Sequence, residues 1–301
     1  MSTNSTMIPS IDEASKYGYR PTLYVCILYV ALFSVTTTAH LIQIIFSRYW
    51  FLIPTVLLGG ILEILGWVGR LWSNQNLLLD APFTIQICCL IIGPTPLLAA
   101  NFVLFGRLVR LLGTEYSRLP PRLYTWIFTS CDIISLIFQA VGGAMASGSD
   151  DGSEDFNTGT DLMIAGIAIQ VAMMTIFVIL AGEYLFRHLN DKPLRKSTDA
   201  IRAKEMPSES STTLNTRVTL DTRRQLLIFA LGFTTLLLFI RGVYRLVELS
   251  GGWDSEIMHT EWLFNVFDAA LVTVTFYTWN FAHPSLLLDT SSSSSAMSER
   301  A

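Results

Sequence analysis

Seven apolar blocks, most of them separated by short connections, constrain this chain more than any other feature. They fall at about 22–46, 51–72, 83–112, 123–145, 161–186, 225–249 and 256–281. A helix of roughly 20 apolar residues is long enough to cross the hydrocarbon core of a bilayer, and such blocks suit membrane helices better than a soluble core. Composition agrees. Of the 301 residues, 51% are hydrophobic and 15% charged, against about 25% charged in a soluble domain. The expected fold is an all-α integral membrane protein with seven transmembrane helices over residues 21–283. No apolar h-region precedes the first block, so the first helix is expected to act as its own targeting signal.

The basic residues predict an orientation. Of the twenty Lys and Arg, Lys16 and Arg20 precede the first block, and Arg70, Arg241 and Arg245 lie inside blocks. The other fifteen belong to the connections after blocks one, three and five, to the end of block three that leads into its connection (Arg107 and Arg110), and to the C-terminal tail. The positive-inside rule then places the N-terminus outside and the C-terminus in the cytoplasm. On that reading residues 1–20 are an extracellular tail. Its sequon Asn4-Ser5-Thr6 is a glycosylation candidate. Residues 187–224, rich in Ser, Thr and basic side chains, form a disordered cytoplasmic connection. Residues 284–301 form a cytoplasmic tail.

Charges inside the blocks need an explanation, because one at mid-bilayer costs roughly 3 kcal/mol on insertion scales. Arg241, Arg245 and Glu248 stand at i, i+4 and i+7 and share one helix face. Their charged ends either snorkel to an interface or face a polar interior completed by other helices. Glu63 and Arg70, Asp132 and Gln139, and Glu261 and Asp268 are likewise seven residues apart, with Gln86, Asn101 and Gln170 on further helices. These twelve residues are the candidate intramembrane site. One reading is a buried network that fixes helix packing. The other is a polar cavity for an amphipath's head group, with apolar helix surfaces receiving its chain. Five carboxylates face three arginines, which favours protonated acids or a bound cation. Glu261 and Asp268 are expected to be the uncompensated pair, since their own helix brings no basic residue within the membrane. Asp268 is therefore the candidate for binding an amine.

Other features define the helices or exclude chemistry. Pro94 and Pro96 remove two backbone donors from the third block and predict a kink or local unwinding. Gly59, Gly60, Gly66 and Gly69 predict close backbone approach in the second. Cys26, Cys88, Cys89 and Cys131 lie in apolar blocks and offer neither a disulfide framework nor a metal motif. The four histidines lack H-x-x-x-H spacing, none of the four lysines follows a glycine as a P-loop requires, and no G-x-S-x-G elbow is present. No catalytic residue, metal, cofactor, ATP site or nucleic-acid partner is expected. Membrane lipids and an amphipathic small molecule are the expected partners.

A set of short motifs then carries a resemblance. They are Tyr17-Gly18-Tyr19-Arg20-Pro21, Glu63-x-x-Gly66-x-x-Gly69-Arg70, Gln86 with Pro94 and Ala99-Ala100, Asp132-x-x-Ser135-x-x-x-Gln139-x-x-Gly142-Gly143, Gly166-x-x-x-Gln170, Arg241-x-x-Tyr244-Arg245-x-x-Glu248, Glu261 with Asp268, and His283-Pro284. In this order they resemble the fungal lipid-translocating exporter family, whose members are associated with aminocholesterol resistance and sphingoid-base export. Trp67, Phe102 and Phe264 stand where that family commonly has tyrosine. The resemblance implies a seven-helix plasma-membrane protein that moves, or confers tolerance to, amphipathic lipid-like molecules. A receptor or sensor of such molecules is the alternative, since the topology and the basic inner connection suit signalling too.

Overall fold

Hydrocarbon offers the backbone no hydrogen bonds, so apolar blocks of this length satisfy their own as helices. In a computed structural model, which describes residues 19–77, 79–149, 152–194, 222–252 and 255–288, every regular element is helical. Helix α1 is Leu23–Ser47. A 3-10 turn and a π turn over Trp50–Leu57 lead into α2, Leu58–Gln75. The third block is two helices, α3 (Asp80–Ile92) and α4 (Pro94–Leu112). Helices α5 (Pro121–Gly148), α6 (Glu154–Leu189) and α7 (Thr222–Ser250) follow. The last helical run is α8 (Glu261–Phe264), a π turn (Asn265–Ala270) and α9 (Leu271–Phe281), followed by the short α10 (Pro284–Leu288).

Six stretches are long and apolar enough to cross a membrane: Leu23–Ser47, Trp50–Gln75, Asp80–Leu112, Pro121–Gly148, Glu154–Leu189 and Thr222–Ser250. The chain is an integral membrane protein. The seventh block differs from its expected form. Glu256–His259 are turn residues, helix begins at Glu261, and the π turn divides it. The fifth helix starts earlier than expected because Ser153 caps it, its hydroxyl accepting from the Phe156 amide at 3.2 Å, with Glu154 and Asp155 beside the positive end of the helix dipole. Arg187–Leu189 and Thr222–Arg224, assigned to the disordered connection, are helical. Residues 195–221, Asn4 and the tail beyond Leu288 lie outside the described residues.

Small residues set the tightest packing. A Cβ on Gly142 of α5 would collide with the Gly159 carbonyl of α6, and one on Gly166 would lie 2.7 Å from the Ser135 carbonyl. Helices α5 and α6 thus touch backbone to backbone. Beyond them an aromatic cluster joins α4, α5 and α6. Phe102 meets Phe177 at 4.8 Å between ring centroids, and Phe105 meets Tyr124 at 5.0 Å, both edge to face. Each such pair contributes about 1 kcal/mol. Phe102 is fully buried in this apolar setting.

Cross-links define two ends. At one, Asn74 donates to the Pro21 carbonyl at 2.6 Å and Thr22 binds Glu261. At the other, Arg118 pairs with Glu183, Tyr116 donates to Asp191, and Gln43 donates to the Asn280 carbonyl. His40, near that end, lies 3.1 Å from the Phe276 carbonyl through Nε2.

Candidate functional site

Helices α3 and α4 meet at Pro94. Proline lacks an N–H, so Pro94 leaves the Leu90 carbonyl without its intrahelical donor. Arg241 of α7 supplies one, its Nη2 donating to Leu90 O at 2.6 Å. An intramembrane carbonyl freed by proline is thereby satisfied from a neighbouring helix. The same guanidinium reaches Asp268 of the π turn, with Nε 2.7 Å from Oδ1. A π turn carries one extra residue and shifts the facing of side chains. Here it presents Asp268 to α7, where two arginines meet it.

Arg245, one turn from Arg241, grips Asp268 with two parallel bonds, Nε to Oδ1 at 2.9 Å and Nη2 to Oδ2 at 2.7 Å. Its Nη1 donates to Glu248 Oε2 at 2.9 Å, and Tyr244 OH donates to Glu248 Oε1 at 2.8 Å. The i, i+4, i+7 stripe is buried, and its charged ends face protein rather than an interface. Bidentate pairing of this kind is the strong form of an ion pair.

Nearer the Thr22 end, Arg70 is buried and its Nη2 lies 3.3 Å from Glu261 Oε1. Arg70 also donates to Tyr19 OH at 2.7 Å and to Gln86 Oε1 at 3.4 Å. Glu261 accepts from the Thr22 amide at 2.8 Å and hydroxyl at 2.5 Å. The Phe264 ring lies between the two ionic groups, 4.6 Å from the Arg70 guanidinium and 5.0 Å from that of Arg245. A ring face attracts both cations.

The expectation that Glu261 and Asp268 lack compensation is therefore wrong. Their own helix carries no base, but α2 and α7 bring three arginines to them. The carboxylates outside the ion pairs are Glu63 and Asp132. Glu63 is buried, its Oε1 has no hydrogen-bond partner, and it makes no ion pair among the described residues. It packs against Gly93, where a Cβ would lie 2.8 Å from Oε1. The charges acting on it are Asp268, Arg241 and Arg245. Glu63 and Arg70 share a face of α2 without pairing to each other.

Asp132 belongs to a separate chain of polar groups. Gln170 Nε2 donates to Asp132 Oδ1 at 2.9 Å and to Thr95 Oγ1 at 3.1 Å, and Gln139 Nε2 donates to Gln170 Oε1 at 3.0 Å. Asp132 Oδ2 is buried without a partner. Thus Glu63 touches Gly93 on one side of the proline break, and Asp132 connects through Gln170 to Thr95 on the other. Asn101 stands apart from both. It donates to Thr234 and Thr235 at 3.1 Å each and accepts from Trp279 Nε1 at 3.1 Å, tying α4 to α7 and α9.

The twelve candidate residues thus divide into two ionic groups, the Asp132 chain, Asn101 and the unpaired Glu63, and contacts of Tyr19, Thr22, Thr95, Tyr244, Phe264 and Trp279 complete them. Only Tyr244 left a spacing signal, four residues before Glu248; the others act across helices remote in sequence.

The family model described as RTA1 like protein matches residues 56–291. The sphingoid long-chain base transporter RSB1 of Saccharomyces cerevisiae (strain Lalvin EC1118 / Prise de mousse) is 32% identical, over 94% of this chain and 78% of its own length. Protein RTA1 of Saccharomyces cerevisiae (strain ATCC 204508 / S288c) is 29% identical, over 85% of this chain and 81% of its own. Protein RTM1 of Saccharomyces cerevisiae is 27% identical, over 70% of this chain and 60% of its own. No solved structure matches the chain at a significant level. With a family model covering most of its length and a relative of this similarity, the chain belongs to the RTA1-like family.

Proposed function

We propose that this protein translocates amphipathic, lipid-like molecules with a cationic head group, sphingoid bases among them, across the plasma membrane and so confers tolerance to them. The observation that carries the reading is the surplus carboxylate beside the ionic cluster. Asp268, Glu248 and Glu261 occupy the three arginines, and Glu63 is left over, buried at the helix break. An unpaired carboxylate in a low-dielectric setting takes up a proton or a cation. The amine of a sphingoid base fits that demand, and the relative named a sphingoid long-chain base transporter supports it. The cation role thus passes from Asp268 to Glu63.

The accompanying topology is seven spans, with Glu261–Phe281 as the seventh, the N-terminal tail outside and the C-terminal tail in the cytoplasm. The uneven spread of Lys and Arg supports it. With no P-loop motif in the sequence, movement is facilitated or coupled to an ion. Proteoliposomes loaded with a labelled sphingoid base test the function. Saturable protein-dependent flux is the expected result. Saturable binding without flux would instead make the protein a sensor of such molecules.

A further inference from the structure

Within α6 and α7, Gly159, Gly166 and Gly242 each face a neighbouring group, but two glycines do not. A Cβ on Gly182 of α6 or Gly232 of α7 would meet nothing within 4 Å. Both line a cavity of about 360 Å³ between α4, α6 and α7, in the half toward Leu189 and Thr222. Its back wall includes the fully buried Phe105, and its rim includes Ile179 and Leu236, which are 63% and 54% exposed. The cavity therefore opens sideways, on the apolar perimeter that faces lipid. Thr175 and Thr235 are the polar side chains in its lining, and the Thr235 hydroxyl is already bonded to Asn101. Space of this size falls within the range of small-molecule sites, and its chemistry suits a hydrocarbon chain.

The charge at its end points to the head group. Ile228 lines the cavity, and Arg224 lies one turn before it on the same face of α7, about 6 Å along the axis. Arg223 is its exposed neighbour. Arg118 and Arg187 at this end of the bundle share Glu183. Arg223 and Arg224 have no such acid: neither makes an ion pair or side-chain hydrogen bond among the described residues. An apolar slot leading to cations that are unmatched among the described residues complements an anionic lipid.

We infer that the slot between α6 and α7 binds an anionic phospholipid of the surrounding bilayer, with one acyl chain against Gly182 and Gly232 and the phosphate on Arg223 and Arg224. The preferred charge is opposite to that of the proposed cargo. Neither Glu63 nor any member of the ionic cluster lines the slot, so the site does not depend on the transport reading.

Native mass spectrometry of the delipidated full chain, supplied with equimolar phosphatidylserine and phosphatidylcholine of matched chains, tests this. The expected result is a preference for phosphatidylserine of about fivefold for each arginine. Arg223→Ala with Arg224→Ala should abolish the preference while leaving chain binding. Gly232→Leu and, independently, Gly182→Leu should lower retention of both lipids by about tenfold, at unfolding temperatures near that of the unaltered chain. Equal retention of the two lipids by the unaltered chain would overturn the inference, as would a preference that survives the arginine changes or binding that survives both leucines. Competition at the slot by a sphingoid base but not by phosphatidylserine would overturn it too, assigning the cavity to cargo.

Discussion

Asp268 serves two guanidinium groups at once, and Glu63 serves none, so the two acids should respond unequally to amidation. Asp268→Asn leaves Arg241 and Arg245 buried with less than their share of negative charge. Breaking a buried pair in this way costs about 3–5 kcal/mol. Glu63→Gln removes no ion pair and keeps the side-chain shape, so its cost should be under about 1 kcal/mol. Thermal unfolding of the purified variants checks this order, and equal destabilisation by the two would contradict it. The sequence made both residues visible, because an acid within an apolar block is conspicuous. It did not show which acid was spare. Arg70 and Glu261 are 191 residues apart, and Arg245 and Asp268 are 23 apart on different helices. Pairing at those separations follows from helix packing, which spacing along one helix does not reveal.

At the scale of elements, the proline break and the π turn do the positioning. The break was legible, since Pro94 cannot donate and its consequence for a helix is local. The π turn was not: Asn265–Ala270 reads as ordinary helix, and the extra residue that directs Asp268 toward α7 leaves no compositional mark. The start of α6 was misread because Glu154 and Asp155 look like connection residues until Ser153 is seen to cap them. The break also makes a prediction. Pro94→Ala restores a donor to the Leu90 carbonyl and competes with Arg241 for it. Thermal stability should be unchanged or raised, while sphingoid-base flux should fall several-fold as Arg241 and its neighbour Glu63 lose their placement. Flux at the unaltered rate would show that the break is only a packing kink.

At the scale of the molecule, an ionic layer near the Thr22 end and a lateral apolar slot near the Thr222 end give the two halves of the bundle different chemistry. The blocks, their helical state and the membrane setting were legible because hydrocarbon thickness dictates block length. The slot was not, since Gly182 and Gly232 look like the packing glycines Gly142 and Gly166 in sequence and differ from them only in what faces them. For the proposed topology, a protease site introduced at Ser208 should be cut only from the cytoplasmic side of sealed cells. Cutting from outside would reverse the orientation. The central claim is that a spare buried carboxylate handles a cationic amphipath, and the initial rate of labelled sphingoid-base flux into proteoliposomes tests it most directly. The account predicts that Glu63→Gln, folded and reconstituted to the same density, lowers this rate at least about tenfold. It also predicts that a change at the lipid-exposed Leu65, such as Leu65→Ala, does not. Flux by Glu63→Gln at the unaltered rate would contradict it.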